Sequence, residues 1–234
     1  MNKANINGKW ALVTGASRGI GKQVCLGLAK HGCNVILHSR DISHTSELAK
    51  ELESHGIQTR QIAADLGNSE QVSKMVAELS TGPNIDIVYN NAAIMTQYCS
   101  DWLNVPSEDL RVSFEVNVTA LMKICHAFIP GMVDRGWGRI INVTSGIADQ
   151  PELIAYAVSK AAVDKFVLDS VGKLEGTGVL MNLLDPGWLR TDLGGPNAPN
   201  SVESVLPGAL VPALIEDGTS GKLFRAQDYA GTEI

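Results

Sequence analysis

Short apolar and β-branched runs recur along this chain, and most are followed by a longer stretch whose apolar positions repeat at helical spacing. Parallel strands joined by crossover helices produce that alternation, because a parallel neighbour is reached only by returning along a face of the sheet. Seven runs read as strands: 10–14, 34–38, 58–63, 85–89, 138–143, 179–184 and 221–224. Several are apolar almost without a break, as strands covered on both faces are. Helical spacing appears over 20–31, 45–55, 69–79, 108–135 and 155–174, with Ser69 and Ser107 placed as N-caps and Pro130 expected to bend or end the fourth helix. The pattern predicts an α/β fold: a doubly wound parallel sheet of about seven strands with helices on both faces, a three-layer sandwich.

Composition narrows this picture without changing it. A length of 234 residues with 44% hydrophobic and 19% charged content suits one α/β domain over 1–234, with no internal repeat. The one Gly/Pro/Asn-rich segment, 194–199, reads as a mobile loop within a short lid at about 188–207. A net charge of -6 leaves no broad basic surface for nucleic acid or an anionic bilayer, so a small-molecule partner is expected. The polar start and the absence of an uninterrupted apolar run of about eighteen residues predict a cytoplasmic protein that does not engage a membrane. Cys25, Cys33, Cys99 and Cys125 form no CxxC pair and read as buried thiols. The histidines form no metal-binding cluster, so no metal site is expected.

Candidate chemistry begins directly after the first strand. Thr14-Gly15-Ala16-Ser17-Arg18-Gly19-Ile20-Gly21 runs into a helix pattern. A dinucleotide pyrophosphate needs backbone N–H donors at a helix N-terminus, and glycines where phosphate oxygens approach the backbone. Gly15, Gly19 and Gly21 meet that need, which makes the expected domain Rossmann-type. A carboxylate at the end of the second strand would hold both ribose hydroxyls of NAD and repel a 2′-phosphate. Here the strand ends in His38-Ser39-Arg40, so neutral Ser39 and the guanidinium groups of Arg40 and Arg18 predict NADP(H) in preference to NAD(H).

Tyr156 and Lys160 stand four residues apart at the start of a helical stretch and so share a face. An ammonium near the phenol would lower its pKa from about 10 toward the working range of a proton donor. In company with the motifs before and after it, this pair resembles the short-chain dehydrogenase/reductase family across essentially the whole chain. The 14–21 segment is similar to the family's cofactor loop, Asp65-Leu66 to its adenine contact, and Asn90-Asn91-Ala92-Ala93 to the segment that stabilises the sheet beside the cofactor. Asn117, Ser145, Tyr156 and Lys160 are similar to its catalytic tetrad, and Pro186-Gly187-Trp188-Leu189-Arg190-Thr191 to the turn holding the nicotinamide carboxamide. The resemblance implies an NADPH-dependent carbonyl reductase. Tyr156 would exchange a proton with the substrate oxygen, and Lys160 would lower the Tyr156 pKa and bind the nicotinamide ribose. Ser145 would hold the substrate oxygen, and Asn117 would anchor a water relaying protons to Lys160. Cofactor contacts would come from Gly15, Ser17, Arg18, Gly19, Ile20, Gly21, Ser39, Arg40, Asp65, Leu66, Asn91, Ala92, Ala93, Tyr156, Lys160, Pro186, Gly187, Trp188 and Thr191.

Ser145 precedes Tyr156 by eleven residues, a slightly shorter interval than most members of that family have. The trimmed loop, with Asp149-Gln150-Pro151-Glu152, predicts a pocket more open or more polar on that side. The lid offers little bulky apolar surface, which predicts a modest, permissive pocket. Trp188 is the aromatic residue expected at the substrate, while Trp102 and Met95 read as core filling. The family's habit of packing its long helices between subunits implies a homodimer or homotetramer. Competing readings are an NAD-linked alcohol dehydrogenase, a 3-oxoacyl thioester reductase and, outside enzymes, a non-catalytic NADP sensor.

Overall fold

The structure is a computed structural model that describes residues 3–232. Strands β1 (Trp10–Val13), β2 (Asn34–Ser39), β3 (Thr59–Ala63), β4 (Ile87–Asn90), β5 (Gly138–Val143), β6 (Val179–Asp185) and β7 (Leu223–Arg225) form one sheet. Its order is β3-β2-β1-β4-β5-β6-β7 and every neighbouring pair is parallel. Alternate residues of each strand face opposite sides of the sheet, so two cores form. Val13, Leu37, Tyr89, Ile141 and Leu184 pack on one side with α1 (Gly19–Lys30), α2 (Ser46–Glu53) and the 208–215 segment. Leu12, Ile36, Val88, Ile140 and Leu183 pack on the other with α3 (Ser69–Ser80), α5 (Ala120–Asp134) and α6 (Ile154–Ser170). Each such side chain stabilises the fold by roughly 1.5–3 kcal/mol of apolar transfer. The three layers match the sequence expectation.

Local details differ from that expectation for identifiable reasons. The cap of α3 is Asn68, not Ser69: its side chain accepts from the Glu70 and Gln71 N–H groups at 3.1 Å each, and Ser69 becomes the first helical residue. Ser107 likewise opens α4 (Ser107–Phe114) behind Pro106, whose fixed φ leads the chain in, and makes no side-chain cap. Pro130 neither ends nor divides α5. It lies on an exposed face with His126, so water can reach the carbonyl left without its helical partner. Irregularity sits earlier, in the π turn Glu115–Thr119 that joins α4 to α5. By length and composition the continuous run Ser107–Asp134 would suffice to cross a bilayer, yet Leu121, Ile124, Cys125, Phe128 and Met132 are buried in the core over β4 and β5. Of the cysteines, Cys25, Cys33 and Cys125 are buried while Cys99 is half-buried.

The strand order fixes where a ligand can sit. From β1 the chain winds outward through β2 and β3, then returns to lay β4 on the other side of β1. The loops leaving β1 and β4 therefore part at their carboxyl ends and open a crevice, the place where open α/β sheets bind ligands.

Candidate active site

The loop after β1 is shaped by close contact with the segment after β4. Thr14 Oγ1 accepts from the Asn91 and Ala92 N–H groups at 3.0 Å each, and Asn91 Nδ2 donates to the Thr14 and Gly15 carbonyls at 2.8 and 3.2 Å. Gly15 has φ +66°, and a Cβ there would stand 3.0 Å from Ala92 Cα. A Cβ on Gly21 would lie 2.2 Å from the Gly15 carbonyl oxygen, so only glycine lets α1 start this close to the loop. Ile20 packs on the core behind the loop, and Ser17 and Ala93 are half-buried beside it. The first turn of α1 has neither a side-chain cap nor an acidic residue, unlike α3. N–H groups without a side-chain cap behind a glycine cradle suit a pyrophosphate, and the residues present fit a nicotinamide dinucleotide.

The groups expected around the adenosine end are divided. Arg40 is exposed and makes no ion pair among the described residues. Arg18 instead pairs with Asp192 at 3.0 Å, both side chains being largely exposed. Ser39 is buried, and its hydroxyl donates to the Asp41 carbonyl at 2.6 Å. Asp41, the nearest carboxylate in the chain, accepts from the Ser43 N–H at 2.9 Å and its hydroxyl at 2.8 Å. At the end of β3, the Asp65 carboxylate accepts from the Gly67 N–H at 2.9 Å, while the Leu66 side chain is buried in the core.

Across the crevice, Ser145 leaves the end of β5 and Tyr156 and Lys160 project from the first turns of α6. Tyr156 is 6% exposed and Lys160 3%. The Lys160 Nζ donates to the Val143 carbonyl at 2.8 Å and lies 5.7 Å from the Tyr156 ring centroid. Burial lowers the Lys160 pKa to about 8, against an opposing pull from the Asp164 carboxylate. The expected lowering of Tyr156 is not seen. Burial pushes its phenol up, the Ser145 hydroxyl opposes this, and the Asp185 carboxylate adds to the rise. Asn117, buried in the π turn, exchanges two hydrogen bonds of 2.9 Å with the Ile94 backbone and donates to Ser159 Oγ at 2.9 Å. Ser159 in turn donates to the Tyr156 carbonyl at 2.7 Å, which ties α6 to the segment after β4.

The turn after β6 closes the crevice. Gly187 has φ +80°, its N–H donates to Asp185 Oδ1 at 2.9 Å, and the Pro186 carbonyl accepts from Gln227 at 3.0 Å. Thr191 lies against the glycine loop, 3.6 Å from where a Gly19 Cβ would be. Trp188 is 59% exposed at the mouth, its indole N–H donating to the Gly194 carbonyl at 2.7 Å. The 188–207 segment is pinned as well as looped: Arg190 donates to the Ala198 and Pro199 carbonyls at 3.0 and 2.8 Å, and Ala198 is buried. Trp102 is 53% exposed, so it does not fill the core as expected. In the shortened loop, an open cleft of about 400 Å³ lies between Ile147, Asp149, Gln150 and Pro151 and the Ala157 and Ala161 positions of α6, so the side is open, as expected. Asp149 and Gln150 are its polar residues in an otherwise mostly apolar lining. The sequence reading passed over Asp185 and Ser159; strand alternation at the end of β6 and the three-residue step from Tyr156 were the available signals.

Residues 9–201 match the sequence profile of the short chain dehydrogenase family. The chain is 36% identical over 202 residues to a short chain dehydrogenase of Pseudocercospora fijiensis, covering 83% of this chain and 64% of that protein. It is 31% identical over 228 residues to the very-long-chain 3-oxoacyl-CoA reductase of Homo sapiens, covering 94% and 73% respectively. Among solved structures, a 3-oxoacyl (acyl-carrier-protein) reductase of Agrobacterium tumefaciens with NADP bound superposes with a TM-score of 0.86 at 25% identity, over 94% of this chain and 93% of that one. The glycine loop, the Tyr156–Lys160 pair and this likeness over nearly the whole length agree: the chain belongs to the short-chain dehydrogenase/reductase family of NAD(P)-dependent oxidoreductases.

Proposed function

We propose that this chain is an NADPH-dependent oxidoreductase that reduces a ketone or aldehyde to the alcohol, with Tyr156 exchanging the proton at the substrate oxygen. The observation that carries this reading is the buried Tyr156–Lys160 pair, one helical turn apart beside Ser145 at the carboxyl ends of the strands. A nicotinamide held in the crevice supplies the hydride. With its pKa raised, the Tyr156 phenol stays protonated near neutrality, as a donor to a carbonyl oxygen must. The Lys160 ammonium, anchored on the Val143 carbonyl, stabilises the phenolate left behind. Ser145 orients the substrate oxygen toward Tyr156, and Asn117 acts through Ser159 to hold the turn of α6 that carries Tyr156.

Preference for NADPH is supported by the end of β2, where Arg40 is exposed and makes no ion pair among the described residues. The exposed Trp188 at the mouth suits an apolar substrate group. A 3-oxoacyl thioester is the second substrate class, favoured by the names of the human and Agrobacterium relatives. Assembly as a homodimer or homotetramer, which the resemblance implies, belongs to the same proposal. Titration with NADPH and NADH, followed by loss of reduced-nicotinamide absorbance against ketones, aldehydes and 3-oxoacyl thioesters, tests the reading. Tighter NADPH binding with turnover of a simple carbonyl supports it; equal binding of the two cofactors removes the NADPH preference, and turnover of thioesters alone favours the second class.

A further inference from the structure

His38 is the next-to-last residue of β2 and is 2% exposed. Its backbone carbonyl accepts from the Ala16 N–H at 2.9 Å, so the end of β2 already holds the glycine loop. The ring adds two further bonds: Nδ1 lies 3.3 Å from the Gly15 backbone nitrogen, and Nε2 lies 3.1 Å from the Ala64 carbonyl oxygen. A carbonyl can only accept and an amide N–H can only donate. One arrangement serves both, a neutral imidazole with hydrogen on Nε2 and a bare lone pair on Nδ1. Burial lowers the ring's pKa to about 4, with the Ala64 carbonyl opposing, which agrees with a neutral ring near pH 7.

The two groups joined by this ring belong to neighbouring parts of the cofactor crevice. Gly15 opens the loop that faces the pyrophosphate, and Ala64 directly precedes Asp65 and Leu66 on the adenosine side. We infer that His38 is a positioning residue for cofactor binding, its imidazole fixing the glycine loop against the end of β3 so that the pyrophosphate and adenosine parts of the crevice are preset. A side chain that merely filled the same volume would leave the part-buried Gly15 N–H and the buried Ala64 carbonyl without this partner, and the loop would move to satisfy them. The inference rests on the reading of this crevice as the cofactor site.

Two measurements test it. Long-range ¹H–¹⁵N correlation on the unliganded wild-type chain reports the ring directly: hydrogen on Nε2 supports the inference and hydrogen on Nδ1 overturns it. The second compares NADPH and NADH dissociation constants for wild type, His38→Leu and His38→Asn, with melting temperature confirming the fold. His38→Leu should weaken binding about tenfold, and His38→Asn, whose amide oxygen can stand where Nδ1 accepts, should recover to within about threefold of wild type. Unchanged affinity in His38→Leu, or equal losses in both variants, would overturn the positioning role while leaving the cofactor site intact. Failure of wild type to bind either cofactor would instead remove the reading of the crevice, and this inference with it. If His38→Leu does not fold, the tautomer decides.

Discussion

Lys160 shows how a single side chain can be held against its own solvation. It is buried among α6 and β5 with one carbonyl partner, and its pKa falls to about 8. Below that pH the folded chain carries a buried ammonium. Between there and the ordinary lysine range near 10.4, the unfolded chain binds a proton that the folded chain does not, so this residue makes stability rise with pH across that window. Replacing Lys160 with Met should therefore raise the melting temperature near neutral pH and abolish turnover. The gain should shrink as pH climbs past 8 toward 10; a gain that is constant over this range would contradict the account. At Arg40 the prediction concerns choice of cofactor: Arg40→Ala should weaken NADPH by about tenfold and leave NADH nearly unchanged, and isothermal titration separates this from an equal loss for both. Tyr156 and Lys160 were singled out by their spacing and Arg40 by its place after the second strand, whereas Ser145 stood out only through the family resemblance. The pairing of Arg18 with Asp192 was not legible, since the partners are brought together only by the turn after β6.

Elements were read best where both faces are buried. Apolar runs located β1, β5 and β6 to within a residue, because a strand under two helical layers has little choice of composition. Helix ends were less legible, since Asn68 and Ser69 are both good caps and only the backbone geometry selects Asn68. Asn68→Ala should cost about 1 kcal/mol, read by urea denaturation, whereas Ser69→Ala should cost a few tenths; the reverse order would contradict the observed cap. The π turn at 115–119 carries no sequence signature, yet it turns Asn117 inward to reach Ile94 and Ser159. The start of α1 is the least tolerant point. With the Gly15 oxygen 2.2 Å from an added Cβ, Gly21→Ala should move the glycine loop and reduce NADPH affinity at least tenfold, and wild-type affinity in that variant would show that the loop can yield.

Across the whole molecule, the order β3-β2-β1-β4-β5-β6-β7 gathers the loops after β1, β4, β5 and β6 around one crevice. Residues as distant in sequence as Gly15, Asn91, Ser145, Tyr156 and Thr191 line it for that reason alone. The alternation of runs predicted the doubly wound parallel sheet, while the strand order emerges only from the structure. Substrate choice was not legible, because residue type and spacing do not report how Trp188, the pinned 190–199 turn and the 146–153 loop are placed in space. The central claim is that this crevice moves a proton through Tyr156 while a cofactor is held independently by the glycine loop. Its most direct test measures NADPH binding and carbonyl reduction side by side in wild type and Tyr156→Phe. The account predicts nearly equal dissociation constants and turnover lower by several orders of magnitude in the variant; near-normal turnover by Tyr156→Phe would contradict it.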